Sequence, residues 1–324
     1  MTRPVLHVVS HGPHCLDGVA AAAAVARFHE GADVRAVFAS NQEVDRVLRE
    51  VDARPGEDLW VTDISWTDPA TEAHLRDLAE RGVRLHWFDH HKTAIERLKN
   101  GAYALPFTTR VVRDDFAASR LVYEWLRDRA AERSRTGGEP APARFADFAP
   151  IVAMADDNDR WVHAVPGARE LGLVLRAMPA AESYRSFLEL GPGCEDTATM
   201  AAARARVKEE LDRNRRLAEA TRQEREVAGV RLVSALCDGY AGEIADEWGR
   251  SSPRTVFALF DVRSRALSFR RSPDHDFDLS ALAERLGGGG HPAAAGATLA
   301  GLPARLGEVV GDAVAPAAAL PGGR

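Results

Sequence analysis

The chain has 324 residues, of which 45% are hydrophobic, 28% charged and 7% aromatic, and its formal net charge is −6. These proportions exclude a disordered, collagen-like or disulfide-stapled protein, and the length predicts two folded domains. The negative charge argues against sequence-independent coating of duplex DNA, because that mode depends on many Lys and Arg residues.

The cysteines and the apolar segments bear on location. Cys15, Cys194 and Cys237 are odd in number and widely spaced, which favours a reducing compartment. The longest apolar run, residues 19–26, is too short to cross a bilayer, and the N-terminus lacks a basic region followed by a long apolar segment. We therefore expect a cytoplasmic location and no membrane partner.

Short β-type runs alternate with helical stretches over the first hundred residues. Strands are predicted at 5–10, 34–39, 59–64 and 83–88, and helices at 19–28, 44–51 and 69–81. Asp68 is the predicted N-cap of the last helix, with Pro69 at its first position. This alternation predicts an α/β fold whose N-terminal lobe is a doubly wound, mostly parallel sheet.

The second half has a different pattern. Residues 133–144 predict an exposed loop, and residues 196–227, which lack Pro and Gly, predict one long connecting helix. Strands at 230–236, 255–260 and 266–269 with helices at 241–248 and 279–286 predict a smaller C-terminal α/β lobe. The expected division is a catalytic domain at 1–190, a helical linker at 191–228, a substrate-binding domain at 229–312 and a frayed tail at 313–324.

Metal-binding residue types occur in four segments, each at a predicted strand end, where ligands bind in such sheets. The segments are His11 to Gly18, Thr62-Asp63, Asp89-His90-His91 and Asp156-Asp157-Asn158-Asp159. Crowded carboxylates repel one another unless cations compensate their charge, so the convergence predicts divalent metals. Two ions roughly 3.5–4 Å apart could share a carboxylate and activate a bridging water toward phosphorus.

These segments resemble the motifs of the DHH phosphoesterase superfamily, which includes RecJ-like exonucleases, family II pyrophosphatases, nanoRNases and cyclic-dinucleotide phosphodiesterases. The first motif, His-x-x-x-Asp-x-Asp-Gly, matches residues 11–18 except that Cys15 replaces its first Asp. The resemblance implies that His11, Cys15, Asp17, Asp63 and His90 bind metal. It also implies that His91 faces the substrate, and Asp89 and His91 are the expected catalytic residues.

Two positions stay open at this stage. Asp157 or Asp156 is favoured as the metal ligand of the fourth motif, with Asp159 as an alternative. A thiolate is a softer ligand than a carboxylate, so Cys15 predicts a weakened site, a shifted metal preference or replacement by His14. Cys15 could equally be an inert buried thiol.

The resemblance continues in a glycine-rich segment, residues 287–296, that is similar to the signature of the DHH-associated C-terminal domain. Consecutive glycines let backbone N–H groups approach a phosphate, and a helix starting near Pro292 would add its positive dipole end. The expected substrate-binding residues are Gly288, Gly289, Gly290, His291, Arg270 and Arg271, the arginines offering a bidentate fork to phosphate.

The expected function is hydrolysis of short oligoribonucleotides or related small nucleotides with two divalent ions, Mn²⁺ first, with Mg²⁺ or Co²⁺ as alternatives. The expected partners are short single-stranded RNA or small nucleotides, and a homodimer stays open. The enzymatic alternatives are a 3′-phosphoadenosine 5′-phosphate phosphatase and a cyclic or linear dinucleotide phosphodiesterase. The alternative that is not an enzyme is a nucleotide-binding module in which Cys15 marks a metal site that has lost its function.

Overall fold

The computed structural model describes residues 3–298. The predicted tail at 313–324 and the end of the predicted substrate-binding domain lie outside the described residues. The chain divides into two compact units, Met1–Val207 and Lys208–Arg324, and the division falls inside one helix, Ala198–Thr221. The finer predicted boundaries at 190 and 228 remain a proposal.

The first unit is built on a five-stranded sheet in the order β2-β1-β3-β4-β5, and every pairing in it is parallel. The strands are Val5–His11 (β1), Asp33–Ala39 (β2), Asp58–Thr62 (β3), Arg84–Asp89 (β4) and Thr109–Val112 (β5). Side chains alternate between the two faces along each strand. Val8 accordingly packs with one layer of helices and Val9 with the other.

Helices cover both faces of this sheet, so the predicted doubly wound α/β architecture is confirmed. One face packs against the three helices that lie between β2 and β5 in the chain, and the other against the first helix and the helices that follow β5 in this unit. The bounds are Leu16–Phe28 (α1), Val44–Arg49 (α2), Pro69–Glu80 (α3), Lys92–Lys99 (α4), Ala118–Arg135 (α5), Ala143–Ala146 (α6), Ala149–Asp159 (α7), Ala168–Ala177 (α8) and Ala180–Glu189 (α9). The predicted cap of α3 is present, since the Asp68 side chain accepts a hydrogen bond from Ala70 N.

The second unit contains a six-stranded sheet in the order β10-β11-β9-β8-β7-β6, in which only the β7–β8 pair is parallel among the described residues. Its elements after Ala198–Thr221 (α10) are Gln223–Val227 (β6), Val230–Cys237 (β7), Ala241–Gly249 (α11), Thr255–Asp261 (β8), Ala266–Arg271 (β9), Leu279–Glu284 (α12), Gly289–His291 (β10) and Ala294–Thr298 (β11). Phe257 faces α11 in one core and Val256 faces α12 in the other. The predicted smaller α/β lobe is therefore present.

Three local predictions were wrong. The long helix ends at Thr221, because residues 223–227 pair with β7 as an exposed edge strand. Residues 133–135 belong to the end of α5 rather than to a loop. No helix starts at Pro292, since a turn there joins β10 to β11. Among residues 3–298, no helix is long and apolar enough to cross a membrane.

Candidate metal centre

The first motif lies where β1 ends and α1 begins. His11 is the last residue of β1, Cys15 is the N-cap of α1, and Asp17 lies in its first turn. Gly18 is required by packing, because a Cβ there would lie 2.0 Å from the His11 carbonyl oxygen. The corner therefore brings an imidazole, a thiol and a carboxylate to the carboxyl end of β1.

Asp63 follows β3 directly and lies at the centre of the cluster. Its Oδ2 is 3.2 Å from Cys15 Sγ and 3.5 Å from His11 Nδ1, and its Oδ1 is 3.3 Å from His90 Nε2. Its φ of 58° is in the left-handed region, which Asp and Asn tolerate better than most other residues. Its side chain is only 1% exposed, so Asp63 is a buried carboxylate facing both halves of the cluster.

The Asp89-His90-His91 segment turns away from the end of β4. Asp89 is fully buried, and its Oδ1 accepts hydrogen bonds from His90 N, His91 N and His91 Nδ1, the last at 2.7 Å. Its contacts fix the turn and the orientation of the His91 ring. His91 is 42% exposed, so the structure leaves its Nε2 edge accessible while Asp89 holds the other nitrogen.

The fourth motif lies in helix α7, and not at a strand end as predicted. Asp156 accepts a hydrogen bond from Ala117 N and pairs with Arg120, while Asp157 accepts from Ala164 N and Val165 N. Asp159, the last residue of α7, has its Oδ2 3.3 Å from His90 Nε2. Asp156 and Oδ1 of Asp157 thus have other partners, and of the three carboxylates Asp159 is the one with an oxygen within reach of the cluster.

Three groups of side chains have ligand atoms that all lie within 4.8 Å of one another. They are His11, Cys15 and Asp63; Asp63, His90 and His91; and Asp17, His90 and Asp159. Asp63 belongs to the first two groups, as a carboxylate between two cations would, and His90 belongs to the last two. His14 is outside these groups, and its Nδ1 lies 3.5 Å from the Leu175 carbonyl oxygen. The arrangement therefore favours Cys15 over His14 as a ligand.

The electrostatics of the cluster also favour cations. Burial raises the pKa of Asp17 well above its ordinary value, and the charge of Asp63 raises it further. Burial and Asp63 likewise raise the pKa of Asp159. Burial opposes ionisation of Asp63, but the neighbouring His11 and His90 rings hold its pKa below the usual range. Burial lowers the pKa of His90, yet Asp63, Asp17 and Asp159 raise it to about 9.

Unsatisfied polar atoms fit the same conclusion. Asp63 Oδ1, His90 Nε2 and Asp89 Oδ2 are buried and lack a well-aligned hydrogen bond among the described residues. Buried polar atoms nearly always have a hydrogen-bond partner or a bound ion, so these atoms indicate a bound group that the polypeptide does not supply. Divalent cations suit this donor set of carboxylate oxygens, imidazole nitrogens and one sulfur.

One anchor of the cluster was not predicted from the sequence. Both oxygens of Asp17 accept hydrogen bonds from the start of α5, Oδ2 from Ala118 N and Oδ1 from Ser119 N, each at 2.8 Å. The N-terminus of a helix stabilises a negative charge. The Asp17 carboxylate is therefore held by a segment about a hundred residues later in the chain, a contact with no local sequence signal.

The glycine-rich segment lies in the second unit as the β10–β11 hairpin. Gly288 and Gly290 have no room for a side chain, since an added Cβ would lie 2.1 Å from Gly296 O and 2.6 Å from Ala295 Cα, respectively. His291 pairs with Ala294, which pairs with Arg270, so these side chains share one face of the sheet. Gly289 lies between the two tight glycines, and Arg271 belongs to the opposite face.

Comparisons with known proteins give structural matches alone, because no family model and no curated protein matches the sequence. The pGpG-specific phosphodiesterase PggH of Vibrio cholerae matches with a TM-score of 0.55 and 11% identity, over 95% of this chain and 97% of that one. RecJ of Thermus thermophilus, in complex with Mn²⁺, matches with a TM-score of 0.48 and 18% identity, over 96% of this chain and 52% of RecJ. An exopolyphosphatase-related protein of Bacteroides fragilis matches with a TM-score of 0.45 and 14% identity, over 97% and 92%. The chain therefore shares the overall fold of PggH.

Proposed function

We propose that the protein is a metal-dependent phosphoesterase that hydrolyses short oligoribonucleotides, with linear dinucleotides as the smallest substrates. The observation that carries the proposal is the convergence of three ligand groups that share Asp63 and His90 at the carboxyl ends of β1, β3 and β4. A match over almost the whole chain to a protein named as a pGpG-specific phosphodiesterase supports a linear dinucleotide substrate.

The side chains divide into two ligand positions. His11, Cys15 and Asp63 would hold one divalent ion, and Asp17, His90 and Asp159, with Asp63 Oδ1 beside His90, would hold the other. His91 is assigned to the substrate instead, because Asp89 holds its Nδ1. Ions bound there supply Lewis acidity and a water of lowered pKa close to the scissile phosphate. We assign Mn²⁺ first, because oxygen and imidazole donors predominate.

His91 has a separate role in this proposal. Its hydrogen bond with Asp89 raises the pKa of His91 against the effect of burial, which favours the protonated ring. With Nδ1 engaged by Asp89, Nε2–H is free to donate to a phosphate oxygen on which charge develops. Asp89 acts as a positioning residue for that ring, and its substitution would misorient the donor.

A product-resolved assay tests the proposal. The purified chain with Mn²⁺ would be given linear dinucleotides, five-residue RNA and DNA oligomers, cyclic dinucleotides and 3′-phosphoadenosine 5′-phosphate. We expect mononucleotide products from the linear dinucleotides and the RNA oligomer, and no product after chelation. Release of inorganic phosphate from 3′-phosphoadenosine 5′-phosphate alone would identify a phosphatase instead, and a lack of turnover on every substrate would favour a non-catalytic binding module.

Replacing Cys15 with Asp is expected to lower the Mn²⁺ concentration needed for half-maximal activity by about tenfold. The half-buried thiol lies beside Asp63, and desolvation raises its pKa well above the ordinary value, so a cation must displace its proton. A carboxylate is ionised more easily and is a harder ligand. Activity against free Mn²⁺ would be measured for the parent, Cys15→Asp and Cys15→Ser. A higher Mn²⁺ requirement in Cys15→Asp would show that sulfur is the better ligand in this site.

The glycine hairpin is proposed to hold the end of the substrate that is not cleaved. Arg270→Ala and His291→Ala should lower kcat/KM on a dinucleotide by up to about 10²-fold, because remote contacts position the scissile bond. Hydrolysis of a small chromogenic phosphodiester should change little. Arg271→Ala is the matched control, since Arg271 lies on the opposite sheet face. Equal losses on both substrates would contradict a positioning role.

A further inference from the structure

A cavity of about 450 Å³ lies in the first unit, away from the metal ligands. Asp58, the first residue of β3, and His86, near the start of β4, line it together with residues at the end of α1 and on α5. In a parallel sheet these strand starts lie at the edge opposite the strand ends that carry Asp63 and His90. Trp60 lies three residues before Asp63, a separation of about 10 Å along the strand.

The wall of the cavity is aromatic. The Trp60 ring stacks on His86, with centroids 4.3 Å apart and planes 15° apart, and Trp125 meets Trp60 edge-on at 5.8 Å. Two exposed arginines reach the rim, Arg129 over the Trp125 ring and Arg133 over the Phe28 ring. Surfaces of this kind, with flat rings and guanidinium groups, bind planar ligands by stacking.

Three buried nitrogens of lining residues have no hydrogen-bond partner in the part of the chain that the structure describes. They are Trp60 Nε1, His86 Nδ1 and His29 Nε2. Trp60 and His86 are only 2% and 5% exposed. Side-chain nitrogens so well buried normally have a partner, and three of them along one cavity indicate a missing molecule with polar atoms of its own.

The hydrogen-bonding character of two of these nitrogens follows from their chemistry. Trp Nε1–H can only donate. His86 Nε2 lies 3.0 Å from Asp58 Oδ1, and although burial opposes ionisation, hydrogen bonds from His86 and Arg84 lower the pKa of Asp58 to about 2. Nε2 therefore carries the proton facing that carboxylate, and an imidazole with its proton on Nε2 has an acceptor at Nδ1. The wall offers one donor and one acceptor beside flat aromatic surface.

We propose that this cavity binds the base of a nucleotide, at a site separate from the metal centre. A nucleobase is flat and has acceptors for Trp60 Nε1–H and donors for His86 Nδ1, and a cavity of this volume is within the range of small-molecule sites. Arg129 and Arg133 at the rim are placed to neutralise a phosphate on the same ligand. The proposal does not depend on the catalytic assignment, since none of these residues belongs to the ligand groups.

Equilibrium dialysis of the full chain in the presence of a chelator tests the proposal, because the metal centre is then not loaded. The probes are adenosine, adenosine 5′-monophosphate and indole, which has a donor but no acceptor nitrogen. We expect one equivalent of adenosine and of the monophosphate to bind and indole to bind at least about tenfold more weakly. Absence of saturable nucleoside binding would overturn the proposal and leave ordered water as the partner of these nitrogens.

Variants locate the binding. Trp60→Phe and His86→Phe keep an aromatic ring and remove the polar nitrogens, and each should weaken adenosine binding by about tenfold or more. His74→Phe is the matched control, because His74, on α3, has its Nε2 against Val51 O, outside this cavity.

Arg129→Ala and Arg133→Ala are surface changes that should weaken binding of the monophosphate more than binding of adenosine. If adenosine binding survived the Trp60, His86, Arg129 and Arg133 substitutions but was lost in Asp63→Asn, the base would bind at the metal centre. That result would refute the second site.

Discussion

Replacing Asp63 with Asn is expected to lower kcat on a dinucleotide by about 10³-fold. Asp63 is the residue that contacts both halves of the candidate metal centre, through Oδ2 toward His11 and Cys15 and through Oδ1 toward His90. The amide has the same shape and tolerates the left-handed φ of 58°, but it has no charge to balance two cations. Steady-state kinetics and metal content of the purified variant would be measured together.

The fold of this variant should survive. The substitution relieves the repulsion that Asp63 exerts on Asp17 and Asp159, but it also removes the carboxylate that His11 and His90 face. Because a lowered pKa means that ionised Asp63 stabilises the folded state at neutral pH, we expect the thermal unfolding midpoint of the metal-free Asp63→Asn protein to lie below that of the parent, with a cooperative transition retained. A well-folded variant with full activity and full metal content would refute the shared-carboxylate arrangement.

Replacing Asp159 with Asn is expected to reduce activity by about 10²-fold and to weaken metal binding. Asp159 Oδ2 lies 3.3 Å from His90 Nε2 and within one ligand group with Asp17. Asp157→Asn is the matched control, because Asn has an oxygen that can still accept from Ala164 N and Val165 N. That control should keep activity within about threefold of the parent, as expected for a change that leaves the ligands in place.

The opposite order of effects would support Asp157, one of the two residues favoured from the sequence, as the metal ligand. If Asp157→Asn lost metal while Asp159→Asn did not, the helix end would have to rearrange when cations bind. Isothermal titration with Mn²⁺ distinguishes the two cases directly, because it reports stoichiometry without requiring turnover. One equivalent lost in Asp159→Asn and none in Asp157→Asn is the expected result.

Periodicity in the sequence was sufficient to predict the first sheet and its ligand edge. Alternating strands and helices force a parallel sheet, and a parallel sheet brings every strand end to one edge. Asp63 and His90 come together for this reason, although 27 residues separate them, from 63 to 90. No property of either side chain was needed for that inference beyond its place after a strand.

The choice within the fourth motif could not be made from periodicity. Successive residues of a helix point about 100° apart, so only some members of an acidic run can face one site. Which of them does so depends on the direction of α7, and that is fixed by packing of Ile151 and Val152 in the core. The run is also compatible with a turn in isolation, since Asp and Asn favour turns.

Local helix propensity gave the wrong element at the hairpin around Pro292. Its alanines favour a helix and Pro292 suits a helix start, yet Ala294–Thr298 completes the sheet beside β9. Pairing with an existing strand outweighs local propensity. The edge strand Gln223–Val227 follows the same rule, because its charged residues would suit a helix but Ala228 and Gly229 turn the chain back onto β7.

The contact between Asp17 and the start of α5 affects how inactive variants at position 17 are interpreted. This carboxylate is fully buried and serves as the acceptor for two backbone N–H groups far along the chain. Its removal would leave those donors unsatisfied in the core as well as removing a ligand. Variants at position 17 would thus be scarce in a screen for soluble protein, and an inactive Asp17 variant would report a defect of assembly as much as one of chemistry.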